Sequence, residues 1–164
     1  MNAPSTPSPA ISFIGRKNSG KTTLLEKLIA NLSDKGLRIA TIKHHGHPDF
    51  DIDIPGRDSY RHRAAGAQST TILSDVRFAQ ITELSTPRSC ESVISQLSGY
   101  DLVLVEGFKQ ASIAHIELFR AENPRDIEAA SILPDAWKER VKNKSSDTAI
   151  EACLKPSTRT KSYP

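Results

Sequence analysis

The chain has 164 residues, 37% of them hydrophobic and 25% charged, which is enough for one soluble domain with a real core. Its net charge of +3 is too small to argue for nucleic acid, no apolar run of 18 residues offers a membrane span, and the two distant cysteines, Cys90 and Cys153, argue against a disulfide framework or a C-x-x-C zinc site. Residues 1–9 carry neither a basic nor an apolar signal segment, so a cytoplasmic protein with a short disordered leader is expected.

The first strand is predicted over residues 10–14, where Ile11-Ser12-Phe13-Ile14 is apolar. Gly15-Arg16-Lys17-Asn18-Ser19-Gly20-Lys21-Thr22 follows at once and is a complete G-x-x-x-x-G-K-[ST] phosphate loop. A helix is predicted from Lys21 to about Lys35, with Leu24, Leu25, Leu28, Ile29 and Leu32 on one face and Gly36 as its C-terminal stop. A second strand over residues 37–42 completes a β-α-β unit with the phosphate loop at its first turn. The order strand, phosphate loop, helix separates a working loop from a chance match. Backbone N–H groups and the positive end of the helix answer the charge of a phosphate, Lys21 reaches the β/γ oxygens, and the Thr22 hydroxyl can ligate Mg²⁺.

From His44 to Pro55 the chain is polar and irregular, and a short helix is predicted from Arg57 to Gly66. Residues 69–73 and 76–81 read as the two arms of a hairpin. Thr86-Pro87 opens a helix with Val93, Ile94 and Leu97 as its buried face and Gly99 as its stop. Leu102-Val103-Leu104-Val105 is continuous in its apolarity, as a central parallel strand covered on both faces would be. A further strand is predicted from Ile113 to Phe119, and one or two short helices between Asp126 and Val141. Residues from about 142 onward have no periodic apolar pattern. The predicted class is α/β and P-loop NTPase-like, a mostly parallel sheet with helices on both faces plus a β-hairpin insertion. It divides into a leader at 1–9, a nucleotide-binding domain at 10–122, and a weakly structured or disordered C-terminal segment at 123–164.

A triphosphate arrives with Mg²⁺, which needs a carboxylate near Thr22. Ligands of open parallel sheets sit at the carboxyl ends of the strands. Asp101 lies five residues upstream of that end, about 16 Å away at 3.3 Å per residue, so Glu106 is the expected metal-side acid. Asp58, in the first turn of the short helix after the second strand, is assigned to the Mg²⁺ or the attacking water, and Lys21 and Asp58 are the two residues expected to act on the phosphate. His44, His45 and His47 with Asp49, Asp51 and Asp53 suggest a metal cluster at first sight, but their spacing fits no single geometry, and a mobile ligand-facing loop is the expectation.

With the phosphate loop, Thr41-Ile42-Lys43-His44, Asp53-Ile54-Pro55-Gly56-Arg57-Asp58-Ser59-Tyr60, Ala65-Gly66-Ala67 and Leu104-Val105-Glu106-Gly107-Phe108-Lys109 in the family's order, the sequence resembles the MobB family over roughly residues 10–120. These are the molybdopterin-guanine dinucleotide biosynthesis adapter proteins. The resemblance implies a homodimer that binds GTP with Mg²⁺, hydrolyses it weakly at most, and assists the guanylyltransferase that joins GMP to molybdopterin. It implies a nucleotide site over Gly15, Arg16, Lys17, Asn18, Ser19, Gly20, Lys21, Thr22 and Thr23. It also implies metal-side roles for Thr22, Glu106 and Asp58, and an anionic pterin or partner surface that includes Lys43, Arg57, Arg61 and Arg63. The chain departs from the family beyond Arg120, where members continue into another buried strand and a closing helix. Asn143-Lys144-Ser145-Ser146-Asp147 has one residue too many for a guanine-reading N-K-x-D signature. The departure bears on base selectivity and full stability, not on phosphate binding. Two other readings stay open at this point, a P-loop kinase or ligase-like phosphoryl-transfer enzyme and a metallochaperone GTPase.

Overall fold

A computed structural model describes residues 7–47, 50–120 and 123, together with the backbone of Glu151–Leu154. The helices expected between 126 and 141, the Asn143–Asp147 segment and the tail after 154 lie outside the described residues. The chain forms two compact units, one of residues up to His44 and from Ser89 onward, the other His45–Arg88.

The first unit is a five-stranded sheet. Strands β1 (Ala10–Gly15), β2 (Ile39–Lys43), β5 (Leu102–Glu106) and β6 (His115–Phe119) run parallel, and β7 (Glu151–Leu154) adds antiparallel at the edge, giving the order β2-β5-β1-β6-β7. Side chains alternate across β5 and so divide the core in two. Leu104 packs with Phe13, Leu118 and Leu25 of helix α1 (Lys21–Asp34), whereas Val103 and Val105 pack with Ala40 and with Cys90 and Ile94 of α3 (Cys90–Ile94). Helices therefore cover both faces of β5, whose three central residues are at most 1% exposed. Burying Leu104 and Phe13 alone contributes on the order of 2 kcal/mol each.

Local chemistry explains where the elements differ from expectation. α1 ends in a Schellman motif, with Gly36 at φ +82° donating to Ser33 O at 2.9 Å and Leu37 N donating to Leu32 O at 3.1 Å. That claims the Leu37 N–H, and Arg38 N donates to Asp101 Oδ2 at 2.6 Å, so β2 starts at Ile39 rather than at residue 37. α3 begins at Cys90 rather than at Thr86 because Ser89 is its cap, its hydroxyl accepting from Ser92 N at 3.1 Å. Ser8 and Pro9 are joined to the sheet unit: Ser8 Oγ accepts from Tyr100 N, and Pro9 O accepts from Val103 N at 2.8 Å.

The second unit contains α2 (Asp58–Ala64) and an antiparallel hairpin of β3 (Ser69–Ser74) and β4 (Arg77–Thr82), turning at Asp75-Val76. Arg63 organises it. Its guanidinium is 15% exposed and meets Asp51 at 2.9 Å, Glu83 at 3.1 Å and Asp53 at 3.4 Å, while the Ser59 hydroxyl donates to Asp53 Oδ1 at 2.9 Å. The hydrogen bond from Arg63, helped by the Asp53 N–H, holds the Asp51 carboxyl below its ordinary value.

Candidate nucleotide site

Parallel pairing brings the carboxyl ends of β1, β2 and β5 to one edge, with Lys43 opposite Glu106 and Phe13 opposite Glu106 in register. Residues 15–20 leave β1 at that edge and turn into α1. Gly15, at φ +151°, passes so close to β6 that a Cβ there would stand 2.6 Å from Leu118 O and 2.8 Å from Ser19 Oγ. Only glycine fits without displacing backbone. Asn18 at φ +68° and Gly20 at φ +86° complete the curl, and Ser19, fully buried, supports it from inside. Gly20 is the N-cap of α1, no side chain caps the helix, and its first turn holds no acidic residue. The positive end of a 14-residue helix is thus left uncompensated beneath the loop, the setting in which backbone N–H groups receive an anion.

Lys21 folds back over the loop, donating to Gly15 O at 3.1 Å, Arg16 O at 2.6 Å and Ser19 Oγ at 3.2 Å. These neutral acceptors hold an ammonium that a phosphate oxygen would bind more strongly. Thr22 and Thr23 lie in the first turn of α1, with Arg16, Lys17 and Asn18 exposed above it. The Thr22 hydroxyl donates to Glu106 Oε1 at 3.0 Å, and Lys43 Nζ stands 3.5 Å from Glu106 Oε2. A hydroxyl and a carboxylate oxygen are hard donors of the kind Mg²⁺ takes beside phosphate oxygens and water, so the residues present fit that ion. Asp101 sits at the other end of β5, closing the start of β2 through Arg38.

The turn after Glu106 is built tightly. Gly107 N donates to Phe13 O at 3.0 Å, the Ser12 hydroxyl donates to Gly107 O at 2.6 Å, and His44 N donates to Glu106 O at 2.9 Å. Gly107 at φ +96° leaves 3.0 Å between a would-be Cβ and His44 Cβ, and the Phe108 ring lies 4.4 Å from that of His44. Two of these contacts escape sequence reasoning: Lys43 on Glu106, and the buried Asn123 amide that donates to Lys17 O at 3.0 Å.

Asp58 belongs to the second unit, where its carboxylate is 90% exposed and pairs with Arg61 at 3.8 Å. Arg63, expected on an anion-binding surface, is instead committed to three carboxylates. The polar loop has the same account: Asp51 and Asp53 serve Arg63, the His45 ring lies near His47 and Phe50, and among the described residues no three His, Cys, Asp or Glu side chains converge on a metal site.

A family model described as "Molybdopterin guanine dinucleotide synthesis protein B", MobB, matches residues 10–135. The chain belongs to the MobB family. It is 47% identical over 118 residues to a molybdopterin-guanine dinucleotide biosynthesis adapter protein of Escherichia coli K12, covering 68% of this chain and 66% of that protein. A protein of the same description from Haemophilus influenzae is 42% identical over 121 residues, covering 73% of this chain and 67% of its own length. The chain thus spans about two thirds of each. The crystal structure of Bacillus subtilis MobB superposes with a TM-score of 0.60 at 30% identity, over 74% of this chain and 72% of that one. The parallel sheet with helices on both faces is therefore the family's architecture, as the order of predicted elements implied.

Proposed function

We propose that this MobB-family protein binds GTP with Mg²⁺ over residues Gly15 to Thr23 and acts as an adapter in molybdopterin guanine dinucleotide formation, presenting the loaded nucleotide to the guanylyltransferase. The observation that carries the reading is the Thr22–Glu106 contact at the mouth of a phosphate loop whose helix is left uncapped. The descriptions of the relatives supply the pathway. Molybdopterin is a further ligand in this reading. The working form is a cytoplasmic homodimer. Leu73, Val76 and Phe78 of the hairpin are 76%, 91% and 63% exposed, and a two-stranded hairpin bearing such residues is marginal in water unless something covers it. Among the described residues no helix is long and apolar enough to cross a membrane.

The adapter reading is favoured over phosphoryl transfer because Arg63, one of the arginines a phosphoryl-transfer lid would use, is already held by three carboxylates. Without an arginine to offset transition-state charge, P-loop proteins turn over at only about 10⁻⁴–10⁻³ s⁻¹. The test is calorimetry with GTP and ATP, with and without Mg²⁺, on the parent protein and on Lys21→Ala. Loss of the ammonium contact, worth roughly 1.5–3 kcal/mol, should weaken GTP binding by about ten- to a hundredfold. A formed base pocket should prefer GTP over ATP by at least about tenfold. Unchanged affinity in Lys21→Ala refutes the site, and hydrolysis above about 1 s⁻¹ by the isolated protein refutes the adapter reading.

A further inference from the structure

Glu106 is 16% exposed and shares its two oxygens between two donors on different elements, the Thr22 hydroxyl on Oε1 and the Lys43 ammonium on Oε2. The Lys43 side chain is 63% exposed, so its head is free to swing into water on a flexible stem, whereas the Glu106 carboxylate is held at a strand end. We propose that Lys43 is a resident counter-ion of Glu106 that competes with the divalent cation, so that metal enters only together with phosphates. The inference rests on the magnesium role of Glu106 proposed above.

The electrostatics run in one direction. A half-buried carboxylate without a cation is costly, and Lys43 relieves that cost in the ligand-free protein. A divalent ion beside Glu106 would meet a positive charge held opposite that carboxylate, and the two repel until the ammonium leaves. One carboxylate and one hydroxyl are a poor metal site by themselves, since among the described residues no third acidic or imidazole ligand joins them. With Lys43 in place they are poorer still. A nucleotide changes the balance, because its phosphates supply both ligands for the ion and negative charge that favours two cations at once. The consequence is strongly synergistic binding of metal and nucleotide, with Lys43 setting how little metal binds alone. Lys43 follows directly from the strand whose register fixes it against Glu106, so the pairing is a property of the sheet and not of a loop.

The experiment titrates Mn²⁺ into nucleotide-free protein and follows it by electron paramagnetic resonance. Lys43→Met should bind Mn²⁺ about three- to tenfold more tightly than the parent, the range open to a partly screened charge at this exposure. Lys43→Arg should behave as the parent, and adding Glu106→Gln to Lys43→Met should abolish the gain. Lys43→Gln, which keeps a polar head, serves as a second neutral variant if the methionine disturbs folding. Equal Mn²⁺ affinity in the parent and both neutral variants, including no binding by any of them, overturns the proposal. So does weaker binding in the variants. If Lys43 is instead a phosphate ligand, Lys43→Met weakens nucleotide binding at every Mg²⁺ concentration without tightening Mn²⁺, which also overturns it. A protein that fails to bind GTP leaves the nucleotide-free Mn²⁺ comparison intact, so the two failures are told apart.

Discussion

Gly15→Ala separates the steric requirement of the phosphate loop from its chemistry. At φ +151° an L side chain is strained by about 1–3 kcal/mol. The new Cβ would also stand 2.6 Å from Leu118 O, a backbone atom that cannot swing aside because Gly15 and Leu118 are paired in the β1–β6 ladder. Relieving that overlap means shifting the strand pairing, at a further cost of about 1–3 kcal/mol, typical of overpacking. The sum, about 2–6 kcal/mol, is a large part of the roughly 5–15 kcal/mol by which a domain is stable. Gly36→Ala is the matched control, since it too has a positive φ, +82°, but nothing lies within 4 Å of its would-be Cβ. Only the left-handed penalty of about 1–2 kcal/mol applies there. In equilibrium urea unfolding with a slope of about 2 kcal/mol/M, the Gly15→Ala midpoint should fall by about 1–3 M and the Gly36→Ala midpoint by about 0.5–1 M. A Gly15→Ala midpoint no lower than that of Gly36→Ala would refute the close approach of β1 to Leu118 and the reason given for glycine at the head of the loop.

Two further outcomes follow from particular contacts. Glu106→Gln should weaken Mg²⁺-dependent nucleotide binding while leaving metal-free binding nearly unchanged, and Asp101→Asn, which touches only the start of β2, should do neither; calorimetry at several Mg²⁺ concentrations reads both, and reversed effects would mean that β5 is aligned the wrong way round. Asp51 is held below its ordinary value of 3.8 by Arg63, so its contribution to stability is complete above that pH and disappears as pH falls through the lowered folded value. Asp51→Asn should therefore melt below the parent at pH 7, and the gap should close below about pH 3.8; a gap that persists unchanged at pH 3 would show that the pair with Arg63 contributes nothing through charge.

What is legible in this sequence is whatever is written locally or along one strand. The phosphate loop is a run of eight residues, and its flanking strand and helix declare themselves by periodicity. Glu106 is distinguished from Asp101 by counting along β5, since a parallel strand presents its last residue, not its first, to the loop, and the contact at 3.0 Å from Thr22 lies at that end. Lys43 is different. Its neighbour Glu106 is fixed by the register of β2 against β5, elements far apart in sequence, and composition says nothing of which residues face each other across a ladder. The same holds for Arg63, whose sequence neighbours suggest an anion-binding helix, whereas the carboxylates that claim it come from the loop before α2 and from beyond the end of β4. β7 is illegible for another reason. An edge strand such as Glu151–Leu154 joins through backbone hydrogen bonds to β6, and four residues are too few to carry an alternating pattern. A cation that can choose between a phosphate and a protein carboxylate reads the same in sequence either way. In the structure the choice is made by which carboxylates reach it, and that is why Arg63 is taken up by Asp51, Asp53 and Glu83 while Lys43 stands against Glu106 at the end of β5.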